Sequence, residues 1–526
     1  MKETVGGSCV NRAAVMNKGL VSAVLICNRL VVWGHLNGRA MMGCRRIIEC
    51  VLMAALVLVA GGCEEPMGEP HMQVSVPGSF STSGTAQPGQ RWWRTFGDER
   101  LNAVTERALA NNFSLQSAWD RLAQARAVAR KAGAALLPSA DGKVRASRTR
   151  QETNSRTTYT SLYSVGLAAS YEVDLWSRLE STKRAAWYDV QVSRSAVESA
   201  AITLAASVAS TWYQLAEAKE LVRIAERQIE TNEKVLTIVK KQFGSGAAAA
   251  ADVRRQEQLI ASTRGTLIRA RETAALLQYI LSVLAGMPPE LQWEDAKIEL
   301  AALPAMPAAG VPADVLWRRP DIRQAYSRVQ AADERLAAAI ADQYPRISLS
   351  STVETSAASV HDLFDDWLAN VVGNLTQPLF DGGLRKAEVE RQRAIVWEST
   401  HNWSQAILEA LQDVETALTQ ERQQARLVEN LELQLALAQK TYQLNLLRFS
   451  NGRTDYIRVL ESLQSLQALE RNVVTARRTL IGRRIDLYRS IAGAIELEAP
   501  ERVDVIAEYE SKYHTEYREK SDRVKE

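Results

Sequence analysis

Two stretches constrain this chain more than any other feature. Residues 178–243 and 384–449 each run some 65 residues without a glycine or a proline. Those two residue types most readily end a helix, one by its backbone freedom and the other by its missing N–H. Each stretch therefore reads as one helix, about 100 Å long at 1.5 Å per residue. Rods of that length cannot hide an apolar stripe inside one small core, so they imply coiled-coil pairing or a helical tube. Small residues such as Ala200, Ala201, Ala205, Ala206 and Ala209 occupy interior-type positions, where they let helices approach closely. Each rod is followed by a glycine-containing turn and a returning helix, at 252–284 and 454–491.

The chain repeats itself. Leu137-Pro138 corresponds to Tyr344-Pro345, Leu175-Trp176 to Leu379-Phe380, and Gln242-Phe243-Gly244-Ser245-Gly246 to Arg448-Phe449-Ser450-Asn451-Gly452, at offsets between 204 and 207 residues. Duplication of one helix and hairpin unit explains this better than chance. The expected organisation is a signal peptide over 1–62, a lipid-anchored tether over 63–97, a first repeat over 98–285, a linker over 286–317, a second repeat over 318–492 and a charged tail over 493–526.

Four segments of about ten residues lie between the helices. Val165, Leu167, Ala169, Tyr171, Val173 and Leu175 alternate with Gly166, Ala168, Ser170, Glu172 and Asp174, the period-2 pattern of a strand with one apolar and one polar face. Residues 346–353 alternate likewise; 139–149 and 369–380 do so less cleanly. Ten residues is the span of a tilted transmembrane strand. Two soluble hairpins packed on the helices are the other reading. Four strands cannot close a barrel, and lipid does not tolerate open edges. Three copies would supply twelve strands. The fold expected is mainly α with a transmembrane β-barrel part, a trimeric 12-stranded barrel continuous with a long α-helical periplasmic tunnel.

The N-terminus points to the envelope. All five cysteines fall in the first 63 residues, which fits export of a mature chain without thiols. Arg45 and Arg46 precede the apolar run Val51–Ala60, of signal-peptide length and too short to span a bilayer. Ala60-Gly61-Gly62-Cys63 resembles a bacterial lipobox, which makes Cys63 the lipidation site; plain passage of the segment as a signal or anchor helix is the alternative. Glu64 follows Cys63 rather than the aspartate that retains lipoproteins in the inner membrane. Translation is expected to start at Met41 or Met42, with residues 1–40 a mis-assigned start. Residues 66–91, rich in Gly, Ser, Pro and Gln, read as an extended tether.

Composition excludes other classes. The net charge of +3 gives no reason to expect a nucleic-acid partner. The five histidines are scattered, and no phosphate loop, nucleophile elbow or metalloprotease motif occurs. No enzyme activity, no metal and no cofactor are expected beyond a covalent lipid on Cys63.

Together these features resemble the TolC family, most closely its lipoprotein branch of OprM- and NodT-type outer-membrane factors. The resemblance rests on four motifs in order. Trp93, Phe96, Asp98 and Leu101 look like the family's opening Trp-x-x-Phe-x-Asp-x-x-Leu. Arg318-Arg319-Pro320-Asp321-Ile322 matches the start of the second repeat. Gln377-Pro378-Leu379-Phe380-Asp381-Gly382-Gly383 matches a strand-to-helix corner. Arg448-Phe449, Gly452, Asp455-Tyr456 and Leu460-Glu461 match the second hairpin tip.

The resemblance implies a homotrimeric channel in the outer membrane of a Gram-negative bacterium. Its implied partners are a periplasmic membrane-fusion adaptor and an inner-membrane RND-type pump, for export of drugs or toxic small molecules. It places the periplasmic gate at Ile457, Glu461, Asp455 and Arg458, with Ile457 and Glu461 one helical turn apart. Threefold symmetry would stack an apolar ring and a carboxylate ring on the axis; a solvated helix charge is the plainer reading of Glu461. Gly246, Asp252, Gly452 and Tyr456 are the tip residues expected at an adaptor. Lys143, Arg145, Glu172 and Asp174 are read as wetting a wide pore. A type I protein-secretion outlet and a structural coiled-coil envelope lipoprotein are the competing functions.

Overall fold

A computed structural model of the chain describes residues 74–84, 89–153, 156–290, 298–310, 312–491 and 493–500. The signal segment, Cys63 and the tail beyond residue 500 lie outside the described residues. After a 3-10 turn at Trp92–Phe96 come α1 (Glu99–Asn111), α2 (Phe113–Ala134), β1 (Ser139–Thr153), β2 (Arg156–Val173), α3 (Arg178–Gly244) and α4 (Ala250–Leu284). Then follow α5 (Pro312–Arg318), α6 (Pro320–Ala341), β3 (Arg346–Ala357), β4 (Leu368–Thr376), α7 (Leu384–Ser450) and α8 (Tyr456–Ile491). Helices α3 and α7 are both 67 residues long, the two rods expected from the sequence. The chain forms two compact units.

The first unit, built on Ala132–Thr182 and Arg335–Arg393, carries a four-stranded antiparallel sheet in the order β1-β2-β3-β4. Register sorts its side chains by chemistry. Leu167 stands opposite Gly142 and Val353, Val165 opposite Val144, Tyr171 opposite Leu349, and Val371 opposite Ser351. Successive strand residues point to opposite faces, so Val144, Val165, Leu167, Tyr171, Val353 and Val371 share one face. Lys143, Arg145, Ser170, Glu172, Thr352 and Asn370 share the other. Val144, Leu167 and Val371 are 81%, 68% and 79% exposed. Among the described residues, strands β1 and β4 each have one unpaired edge.

Polar side chains start the helices of this unit. Asp174 accepts from the N–H groups of Leu179 and Glu180 at 3.0 and 2.8 Å, and Asp381 accepts from those of Gly383 and Arg385 at 3.0 and 3.3 Å. A carboxylate there satisfies donors that have no partner within the helix and sits at the positive end of its dipole. Asp174, expected in the lumen, is therefore occupied as a cap. Glu172 remains on the polar face and receives Arg178 at 2.7 Å.

The second unit comprises Gln73–Lys131, Lys183–Glu334 and Ala394–Glu526. Its aromatic core explains the opening motif. Trp92, Trp93 and Leu101 are fully buried, and Trp92 stacks on Tyr488 at 5.4 Å. Asp98 caps α1 through the N–H groups of Arg100 and Leu101 and accepts from Trp212 Nε1 at 2.8 Å. The second motif is equally legible. Pro320 opens α6, where its missing N–H costs nothing. The Arg319 guanidinium donates to Asp321 at 2.7 Å, to Asp413 at 3.0 Å and to the carbonyl of Ser490 at 3.2 Å. Burial pushes the Asp321 carboxyl up, but the Arg319 fork overrides it and leaves the group below the usual carboxylate range.

Part of the segment read as a tether is packed. Phe80 joins a core with Val315, Val414, Leu418 and Leu487. Backbone N–H groups of Ser81 and Gly84 donate to Glu415 at 2.8 Å and to the Pro307 carbonyl at 3.0 Å. A polar composition hides one aromatic anchor. The region 304–305 is pinned by Arg484, which donates to the carbonyls of Pro304 and Ala305 and pairs with Glu421 at 3% and 7% side-chain exposure.

Candidate functional site: the paired hairpin tips

The turn from α3 to α4 and the turn from α7 to α8 are built alike. Gly246 adopts φ 77° and Gly452 φ 69°, a left-handed conformation that glycine reaches without steric cost. In the first turn Gly246 N–H donates to Phe243 O at 3.0 Å and Ala247 N–H to Gln242 O at 2.8 Å. In the second, Gly452 N–H donates to Phe449 O at 2.9 Å and Arg453 N–H to Arg448 O at 2.8 Å. Both are Schellman caps, with one bond spanning six residues and one spanning four. The duplicated sequence Gln-Phe-Gly-Ser-Gly and Arg-Phe-Ser-Asn-Gly thus encodes one helix stop used twice.

A shared apolar cluster holds the tips together. Val235 and Val239 of α3 meet Phe449, Tyr456, Val459, Leu460 and Leu463 of the second turn, and the Phe449 and Tyr456 rings lie 5.8 Å apart. Gln242 Nε2 donates to Ser450 O at 3.2 Å, and the Tyr456 hydroxyl donates to Gln256 Oε1. Behind it runs a buried polar seam. Gln256 donates to Asn232 O at 2.7 Å, Asn232 to Thr263 at 3.0 Å, Gln467 to Asn232 Oδ1 at 2.7 Å, and Gln228 to Gln467 O at 3.0 Å. Gln228, Asn232, Gln256, Thr263 and Gln467 are all at most 6% exposed. A satisfied network of this kind fixes the register of α3, α4 and α8 against one another, since sliding would orphan several buried groups. Burial pushes the Tyr456 phenol up, so it stays a neutral donor.

The expected gate residues lie on the face this packing leaves open. Helix α8 buries Tyr456, Val459, Leu460 and Leu463, while Ile457, Arg458 and Glu461 are exposed. Ile457 is 39% exposed and sits one turn before Glu461. Asp455 directly precedes α8, where a carboxylate favours the helix dipole. Of the four residues expected at an adaptor, Gly246 and Gly452 are exposed. Asp252 is turned inward. Its carboxylate accepts from Ala249 N–H at 3.0 Å and from Arg255 at 3.1 Å, which leaves the side chain 16% exposed. Tyr456 is 2% exposed, an internal brace rather than a surface contact. Sequence reasoning missed the seam, because a glutamine at a core position carries no periodicity of its own.

Residues 104–286 and 311–493, more than half the chain, match the outer membrane efflux protein family. The chain belongs to that family. Among the relatives of this outer membrane efflux protein is the pyoverdine export outer membrane protein OpmQ of Pseudomonas aeruginosa, 31% identical over 414 residues that cover 77% of this chain and 87% of OpmQ. Another is the cation efflux system protein CusC of Escherichia coli K12, 26% identical over 86% of this chain and all of CusC. In fold it superposes on the open-state MtrE outer membrane channel of Neisseria gonorrhoeae with a TM-score of 0.72 at 25% identity, covering 83% of this chain and 99% of MtrE. The architecture is that of the TolC-type channels, and the chain is an outer-membrane efflux channel of the OprM/NodT type extending into the periplasm. Channels of this family are homotrimers that work with periplasmic adaptors and inner-membrane pumps, and they form a transport family rather than an enzyme family.

Proposed function

We propose that three copies of this chain close a 12-stranded barrel in the outer membrane and that the paired tips form its periplasmic gate. The observation that carries the barrel is the sheet itself. It has two unpaired edges and one face on which four strands align apolar side chains. Lipid tolerates neither open edges nor unsatisfied backbone, and pairing β4 of one copy with β1 of the next removes both edges at once. The polar face then lines the pore.

Within the gate, Ile457 supplies an apolar ring and Glu461 a carboxylate ring. The first resists wetting; the second repels anions and attracts cations. Asp455 and Arg458 flank the rings, and the exposed tips around Gly246 and Gly452 receive the adaptor. The repeats 98–285 and 318–492 each supply one tip. Cys63 carries the lipid anchor, and mass spectrometry of the purified protein is expected to find an acylated Cys63 as the mature N-terminus. An unmodified Cys63, or a chain retaining residues 41–62, overturns that assignment.

The cargo is small molecules delivered by an RND-type pump. A strain lacking this chain is expected to become sensitive to toxic small molecules, scored against drugs, bile-type detergents, copper and silver. A strain that keeps its resistance to all of them but fails to secrete a polypeptide would point to the protein-secretion outlet instead.

A further inference from the structure

The apolar face of the sheet has an end as well as a middle. On β2 it runs from Tyr163 to Val173. At about 3.3 Å per residue that is about 33 Å along the strand, and at the usual tilt of about 35–45° it is about 25 Å across the membrane, the height of a barrel's apolar band. Beyond Tyr163, toward the β1–β2 turn, the same face changes character. Arg148 stands opposite Ser161 and Arg150 opposite Tyr159. Their even spacing from Val144 puts both on the lipid-type face, whereas Lys143 and Arg145 face the other way. Both arginines are exposed. The Arg148 guanidinium lies over the Tyr159 ring, 5.2 Å from its centroid, and Arg150 contacts Glu152 at 2.8 Å.

Depth decides what such arginines meet. The same rise and tilt put Arg148 about 5 Å beyond Tyr163 and Arg150 about 10 Å beyond it. The headgroup layer occupies about 5–7 Å on each side of the hydrocarbon. Arg148 therefore falls within the headgroups, and the Arg150 backbone about 3–5 Å outside them, close enough for a long side chain to reach back. A guanidinium there has water on one side and lipid phosphates beside it, and its planar fork suits a phosphate better than an ammonium does. The Tyr159 ring is an amphipathic group of the kind found at membrane interfaces. Glu152 offsets part of the Arg150 charge, so Arg148 carries the larger share.

We propose that Arg148 and Arg150, with Tyr159 beneath the first, bind the phosphate groups of lipid headgroups around the outside of the barrel. The strands are entered from helices and leave into helices at the opposite end of the sheet. The β1–β2 turn thus faces the outer leaflet once the helices are in the periplasm, an orientation that rests on the channel reading above. The partner is the phosphorylated lipid of that leaflet.

The test is native mass spectrometry of the full-length protein with diphosphoryl lipid A and with the same lipid after dephosphorylation. The wild type should retain the phosphorylated form preferentially. Arg148→Gln should weaken retention about fivefold, as expected for one arginine at an anionic surface, and Arg150→Gln should weaken it less. Arg145→Gln, on the pore face, should change nothing. Equal retention of the two lipids by the wild type overturns the inference even if a variant fails to assemble. So does an Arg145→Gln effect as large as that of Arg148→Gln, or full competition by inorganic phosphate, which would indicate a free-anion site. Trimer content and conductance are read on the same samples. Loss of phosphate-dependent retention with both intact counts against this inference alone; phosphate-dependent retention without trimer or conductance counts against the channel reading alone.

Discussion

Leu167 offers the sharpest perturbation of the membrane face. It lies four residues inside Tyr163 on an apolar band that ends at Val173, so it sits about 10 Å into a layer of about 25 Å, close to the midplane. It stands opposite Gly142 and Val353, neither of which offers a partner to an ammonium group. A lysine at the midplane of a barrel's lipid face costs about 2–4 kcal/mol, falling to about 0–1 near the interfaces. Leu167→Lys should therefore cost about 2–4 kcal/mol in each protomer, three times over in the trimer. Val173→Lys, at the band's edge, should cost about 1 kcal/mol or less. Ser170→Lys projects from the opposite face and loses only the 2.8 Å contact with Ser139, about 1 kcal/mol for a solvent-accessible hydrogen bond. Urea unfolding of each variant in lipid, with trimer yield from outer membranes as a second readout, gives the ranking. Equal costs at Leu167 and Ser170 would refute the register, and equal costs at Leu167 and Val173 would refute the depth assignment.

Two further outcomes follow from the second unit. Ile457→Ala combined with Glu461→Ala should raise single-channel conductance and make cells leaky to large antibiotics such as vancomycin, while Glu461→Gln alone should weaken block by divalent cations; unchanged conductance and block would move the constriction elsewhere, most directly to the first tip around Asp252–Arg255. Arg484→Met should destabilise the protein by about 3–5 kcal/mol, since it strands the buried Glu421 carboxylate, and adding Glu421→Leu should recover most of that loss in thermal unfolding; a double variant as unstable as the single one would contradict the origin assigned to the cost.

The rods were legible because neither glycine nor proline interrupts them, and the strands and the duplication because each is written in a repeat. Helices α3 and α7 end within a residue of the expected positions, since Gly246 and Gly452 stop both with the same cap. Strands β1, β2 and β3 run longer than the alternation indicated, whereas β4 (Leu368–Thr376) stops short of the expected residue 380. Strand β2 begins at Arg156 rather than near residue 165. Its first residues (Thr157, Thr158, Thr160, Ser161) are held by the β1 ladder, not by an apolar face, so they carry no period-2 signal. Functions served by single polar side chains were not legible either. Asp174 looked like a pore charge and is a helix cap; Tyr456 looked like a surface contact and is a buried brace; the buried Gln228, Asn232 and Gln467 drew no notice in the sequence. In each case the partner lies far along the chain, or around a corner whose geometry the sequence does not state. Ile457 and Glu461 came from the family resemblance, and both lie on the exposed face of α8, away from the side it buries.

The central claim is that this chain closes a pore. Planar-bilayer recording of the purified full-length protein tests it most directly. The account predicts discrete conductance steps from a trimeric species, small at rest and larger in the Ile457→Ala, Glu461→Ala variant. A folded, trimeric protein that inserts into the bilayer and passes no ions in either form would contradict it.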